Sequence, residues 1–316
     1  MIDENKLAAL LARGLESIKY PARADGLYRP VEYTLSSGGK RLRPLLCLAS
    51  CEACGTPADC AVNQAVAVEM FHNFTLIHDD VMDGSDTRRG RPTVYAKWGD
   101  VQAILSGDAL LTMATQMACR EAGEKLAAVL DLFNTTALEV YEGQQLDMEF
   151  EGRDDVSVDE YIEMIRLKTS VLLGCACRMG ALMAGADEAT AAALYAYGEN
   201  LGLAFQLRDD WLDTFGDPDT FGKPIGGDIR NRKKTWLFIT ALAEAPGKMA
   251  DALSDTDGVV ARVTDVYRTL GLDHRCAALI ERHRADAVAA LEDASISAEA
   301  REYFIALASA LSTRQK

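Results

Sequence analysis

Aromatic residues make up only 7% of this 316-residue chain, and runs of β-branched residues are few, while Ala and Leu dominate a 49% hydrophobic composition. That balance argues against a strand-rich protein and favours an all-helical one. Basic residues are in deficit, with 33 Lys and Arg against 48 Asp and Glu for a formal charge of −15. A polyanionic partner would be repelled, so no nucleic-acid partner is expected, although local anion binding stays open. No apolar stretch approaches about 20 residues, so no membrane span is expected. The opening stretch MIDENKLAALLARGLESIKY lacks the basic start and apolar core of a signal peptide and reads as an amphipathic helix. Eight cysteines are present but form no compact disulfide framework, which fits reduced thiols and a cytoplasmic location. Cys47, Cys51 and Cys54 fall on one helical stripe, which favours packing over a zinc site there.

Apolar residues recur at the helical period, as in Leu7, Leu10, Leu11, Leu15 and Ile18. Gly, Pro and Ser punctuate the chain at 36–39, 54–57, 84–92, 151–155 and 216–227, leaving about ten or more helices. No linker or charge block divides the chain, so residues 1–316 are expected to form a single all-helical domain.

Two acidic clusters stand out, Asp79-Asp80-x-x-Asp83 and Asp209-Asp210-x-x-Asp213. Each follows an apolar helical stretch and is soon met by a glycine, which places both near helix C-termini, where the helix dipole adds attraction for a cation. Residues i and i+4 share a helix face, so three carboxylates are expected to converge in each cluster. Their repulsion makes sense if a multivalent cation sits among them, and hard oxygens without His or Cys point to Mg²⁺. A solvated acidic helix end explains one such cluster, but less well two of identical spacing.

Cations follow in glycine-rich settings, in Gly38-Gly39-Lys40-Arg41-Leu42-Arg43-Pro44, Arg88-Arg89-Gly90-Arg91-Pro92, the Gly222-Lys223 loop and Arg232-Lys233-Lys234. Guanidinium forks and lysine point charges suit a diphosphate, which Mg²⁺ bridges to the carboxylates. Arg41 and Arg91 read as surface cations. His72 lies seven residues before Asp79, two turns along nearly the same face, whereas His78, His274 and His283 read as structural.

With these motifs in this order, together with Gly143-Gln144-Gln145-Leu146-Asp147, Lys168-Thr169 and Phe205-Gln206, the chain resembles the trans-isoprenyl diphosphate synthases over about residues 30 to 240. The resemblance implies an all-α bundle around a deep central cavity, usually homodimeric, with the aspartate motifs facing each other across its mouth. It implies that Asp79, Asp80, Asp83, Asp209, Asp210 and Asp213 hold Mg²⁺, three ions per active site, that grips an allylic diphosphate. Arg88, Lys168, Lys223 and Lys233 then look like further contacts to that diphosphate. Lys40, Arg43, His72 and Arg89 look like the isopentenyl diphosphate pocket. Thr169 and Gln206 look like polar groups beside a developing carbocation.

The same resemblance implies ionisation of the allylic substrate, attack by the double bond of isopentenyl diphosphate, and proton loss to the released pyrophosphate. Bulk upstream of the first cluster floors the cavity in this family, which singles out Phe74, with Thr75 and Phe71 beside it. Phe74 lies about 7.5 Å below Asp79 on ideal winding, but Thr75 falls under that aspartate, so the role of Phe74 rests on resemblance alone. The expected product is C20 geranylgeranyl diphosphate, with C15 farnesyl diphosphate or a longer chain as the alternative. A class I terpene cyclase is disfavoured by the second DDxxD, and a non-catalytic subunit of a heteromeric synthase by the retention of every aspartate.

Overall fold

The structure is a computed structural model and describes residues 2–217 and 225–314. It is all-α, as expected. The first helices are α1 (Glu4–Glu16), α2 (Asp25–Leu35), α3 (Leu42–Ala53), α4 (Val62–Met82), α5 (Val94–Trp98) and α6 (Asp100–Cys119). Next come α7 (Leu126–Glu151), α8 (Val158–Ile165), α9 (Val171–Ala184) and α10 (Glu188–Phe215). The remainder are α11 (Gly227–Arg230), α12 (Trp236–Glu244), α13 (Pro246–Ala252), α14 (Val259–Thr269), α15 (Leu272–Ala290) and α16 (Ala298–Thr313). Among the described residues the only sheet is a hairpin of β1 (Thr87–Arg88) and β2 (Arg91–Pro92). Its two-residue tip, Arg89-Gly90, has φ of 54° and 72°, the pair of positive values that a tight hairpin turn needs.

The chain groups into two compact units. The first comprises Met1–Thr135, Cys175–Leu194 and Ser295–Ala300. Its centre is α4, which buries Ala65, Val66, Val68, Met70, Phe71, Phe74 and Ile77, and so is apolar around most of its circumference, as a core helix is. Helix α6 packs on it closely enough at Gly107 that an added Cβ would meet the His78 ring at 2.3 Å.

The second unit comprises Thr136–Gly174, Tyr195–Ala294 and Arg301–Lys316, with a core that includes Phe150, Tyr161, Leu207, Trp236 and Tyr267. Here glycines set the helix spacing. A Cβ at Gly143 of α7 would stand 2.3 Å from the Lys168 backbone nitrogen, and one at Gly202 of α10 would stand 2.5 Å from Ser170 Cα. Ser157 opens α8 with a reciprocal capping box to Glu160. Between α8 and α9, residues Arg166–Ser170 form a π-helical turn, an irregularity found often at functional sites.

The continuous helix Val158–Ala184 is 27 residues long and apolar enough to cross a membrane by length and composition, although no unbroken run of apolar residues marks it in the sequence. Its most apolar window is 72% buried inside the protein, as the core helix of a soluble protein would be.

Candidate active site

In the first unit, Asp79 and Asp80 occupy the last turn of α4, and Asp83 is its C-cap. The Asp80 carboxylate is buried and accepts from both Nε and Nη2 of Arg88, each 2.8 Å from Oδ1. Burial raises the Asp80 pKa, and Asp83 adds to the rise, while Arg88 opposes it.

The cation-rich loop leads into α3 and contacts α4 through Arg41 and Arg43. Gly38 and Gly39 take φ of 74° and 121°, and Arg41 also has positive φ, at 50°. Arg43 Nη1 stands 3.4 Å from His72 Nε2. Arg89 donates to the Gly38 carbonyl, and its guanidinium lies so close that a Cβ at Gly39 would stand 2.8 Å from Cζ. Burial pushes the His72 pKa well below its ordinary value, and Arg43, Arg89, Arg88 and Arg41 push it the same way. The imidazole is therefore neutral within a cationic pocket, the setting of an anion site.

Arg41 and Arg91 are not loose surface cations. Arg41 pairs with buried Glu69 and donates to the Leu35 carbonyl, while the Arg91 guanidinium stacks 4.3 Å over the Tyr33 ring. His78 Nε2 lies 3.2 Å from the Ile104 carbonyl, His283 Nδ1 lies 3.4 Å from Asn200 Oδ1, and His274 is exposed.

Phe74, buried on α4, packs against Phe71 and His78 at centroid distances of 5.6 and 4.7 Å, and Phe71 packs in turn on Phe133. Thr75 donates its hydroxyl to the His72 carbonyl at 2.8 Å.

In the second unit, the close approach at Gly143 sets Asp147, one turn further along α7, beside the π-helical turn. Lys168 Nζ lies 2.5 Å from Asp147 Oδ2. Along α10, Gly202 seats the helix on Ser170, and one turn later Gln206 Oε1 is 3.3 Å from Thr169 Oγ1. Gln206 then donates to Asp210 at 3.0 Å, and the buried Tyr161 hydroxyl donates to the other Asp210 oxygen. Asp213 accepts from the backbone nitrogens of Gly227 and Asp228 at 3.2 and 3.0 Å, which ties α11 to the cluster. Arg314 pairs with Asp209 and stacks over Phe205 at 3.9 Å.

Asp228 belongs to this cluster, although sequence reasoning passed over it. Burial and then Asp228 raise the Asp210 pKa, and Asp228 is itself raised by burial and by Asp213, Asp147 and Asp209. Burial would raise Asp147 too, but Lys233 and Lys168 outweigh it and hold it below the usual carboxylate range. Lys234 is engaged elsewhere, with Asp154 at 3.1 Å and the Phe238 ring at 5.2 Å. Lys223 lies outside the described residues.

Among the described residues no three His, Cys, Asp or Glu side chains form a ready-made metal cage. Asp80, Asp209, Asp210 and Asp213 are each engaged by a protein donor. The donor chemistry still fits Mg²⁺. Asp209, Asp210, Asp213, Asp228 and Asp147 are hard oxygen groups crowded together, and a divalent cation would relieve their repulsion while taking its remaining ligands from water or phosphate.

A family model described as polyprenyl synthetase matches residues 24–270. The chain belongs to the polyprenyl synthetase family. It is 40% identical over 304 residues to a geranylgeranyl diphosphate synthase of Mycobacterium tuberculosis, covering 90% of this chain and 85% of that protein. To a (2E,6E)-farnesyl diphosphate synthase of the same organism it is 44% identical over 212 residues, covering 67% of this chain and 58% of the relative. A crystal structure of a geranylgeranyl pyrophosphate synthase superposes with a TM-score of 0.94 at 43% identity, covering all of both chains. The polyprenyl synthetase match takes in both aspartate clusters and every cation motif described above.

Four side chains carried no sequence signal that singled them out: Glu69, Tyr161, Asp228 and Arg314. Asp147 did carry one, as the end of the Gly143–Asp147 motif, but without a role.

Proposed function

We propose that the protein is a prenyltransferase that joins isopentenyl diphosphate to an allylic diphosphate, with C20 geranylgeranyl diphosphate as its product. The observation that carries this reading is the crowded carboxylate group of Asp209, Asp210, Asp213 and Asp228, with Lys233 and the Lys168–Asp147 pair against it. Such a group suits a diphosphate bridged by metal and flanked by cations.

Each aspartate cluster, Asp79, Asp80 and Asp83 in one and Asp209, Asp210 and Asp213 in the other, holds Mg²⁺ in this reading, with three ions in all and Asp228 supporting the second. When bound, Mg²⁺ supplies positive charge to the allylic diphosphate as it departs. Arg88, Lys168, Lys223 and Lys233 add charge there, and Thr169 and Gln206 offer oxygens to the allylic cation. Lys40, Arg43, His72 and Arg89 hold isopentenyl diphosphate, whose double bond attacks the cation, and the departing pyrophosphate takes the released proton.

The C20 product is supported by geranylgeranyl names among the relatives and by Phe74, a large aromatic buried on α4 five residues before Asp79. Exposed Val101, Ile104 and Leu105 on α6 support a homodimer, since an apolar stripe of this kind is a common subunit contact. Eight free cysteines support a reducing cytoplasm.

The test follows pyrophosphate release from mixtures of isopentenyl diphosphate and an allylic diphosphate, with and without Mg²⁺. Release that needs both substrates and Mg²⁺ supports the reading, and release from the allylic substrate alone favours a cyclase.

A further inference from the structure

Helix α4 carries a carboxylate where its sequence is otherwise core. Glu69 is 2% exposed, among buried Val66, Val68, Met70 and Phe71. An anion so placed needs partners, and it has two: Arg41 pairs with it through Nη1, and Asn73 donates to its Oε1 at 2.6 Å. Arg41 uses its second nitrogen, Nη2, on the Leu35 carbonyl at the end of α2. One guanidinium therefore joins α2 and α4 while its backbone opens α3.

That backbone is unusual. Arg41 has φ of 50°, a left-handed conformation that a residue with a Cβ adopts at a cost unless its surroundings impose it, and no side-chain cap steadies the start of α3. The bond to Glu69 supplies the constraint. On either side of this fixed point stand Lys40 and Arg43, and Arg43 reaches His72, one turn beyond Glu69 on α4. Arg89 lies in the same field: burial lowers its pKa, and Glu69 opposes the fall.

We propose that Glu69 is a positioning residue that, through Arg41, sets the Lys40–Arg43 segment to receive the diphosphate of isopentenyl diphosphate. Glu69 does not touch that substrate, since a buried carboxylate would repel it. The proposal deepens the functional reading above and rests on it.

The experiment compares Glu69→Gln, Arg41→Gln and the double variant in steady-state assays that vary each substrate in turn, with thermal melts alongside. Loss of one charged hydrogen bond should raise KM for isopentenyl diphosphate roughly tenfold in each single variant. kcat and KM for the allylic substrate should stay within about twofold, and the double variant should be no worse than either single one, because the two residues act as one unit. If Glu69→Gln does not fold, Arg41→Gln, altered at a half-buried loop position, carries the same comparison. Equal shifts in both KM values, or a lowered melting temperature with unchanged KM, would overturn the proposal and leave the pair a structural brace. An unaltered protein that consumes no isopentenyl diphosphate would instead overturn the functional reading, and this is seen before any variant is compared.

Discussion

The Tyr161 hydroxyl donates to the Asp210 carboxylate, and both groups are buried. The bond favours the ionised carboxylate against the burial and the Asp228 charge that disfavour it. Tyr161→Phe keeps the ring and removes the donor. Hydrogen bonds to charged groups contribute about 1.5–3 kcal/mol, so the Mg²⁺ concentration for half-maximal activity should rise roughly tenfold or more. A Mg²⁺ titration of activity checks this, and an unchanged midpoint would mean that Asp210 does not bear on the metal.

The aspartates themselves should be harder to replace. Asp79→Ala or Asp209→Ala is expected to lower kcat about 10²-fold or more, the scale on which removing one group that stabilises developing charge acts, without unfolding the protein. Circular dichroism and turnover at saturating Mg²⁺ measure the two effects separately. Near-normal rates would remove the altered residue from the metal site.

Which parts of this were legible beforehand follows from distance along the chain. The DDxxD clusters, the GGKRLRP and RRGRP segments and the helical period are short-range patterns, and the all-α fold and the residues worth examining came from them. The constraints on those residues are long-range. Glu69 meets Arg41 across 28 residues, Tyr161 meets Asp210 across 49, and Arg314 meets Asp209 across 105, and no local spacing announces such pairs. Helical spacing brings acids to one face but says nothing of the donors that engage them, such as Arg88 on Asp80 and Tyr161 on Asp210. Lys234, next to Lys233 in the chain, is drawn to Asp154, which the sequence did not announce either.

Phe74 tests the floor of the cavity. Phe74→Ala removes a buried ring that packs on Phe71 and His78, at a stability cost of about 3–5 kcal/mol. If the ring stops chain growth, the variant should make products longer than C20, resolved by chromatography of the dephosphorylated alcohols. An unchanged product would place the floor elsewhere.

His72 gives stability a pH dependence of definite sign. Burial and the neighbouring arginines hold its folded pKa well below 6.5, whereas the unfolded chain takes up a proton near that value. Above about pH 6.5 neither state is protonated and the contribution is fully present. As pH falls below that value only the unfolded state gains a proton, so the folded state loses up to about 2 kcal/mol by pH 5. Denaturant unfolding at both pH values should show a larger loss for the native sequence than for His72→Gln. Equal losses would mean that His72 is protonated in the folded protein.

The central claim, head-to-tail extension to C20, is tested most directly by incubating the purified protein with labelled isopentenyl diphosphate, Mg²⁺ and C5, C10 or C15 allylic primers, followed by chain-length analysis. The account predicts that label from every accepted primer converges on C20. Label that stops at C15, runs well beyond C20, or never enters a prenyl chain would contradict it.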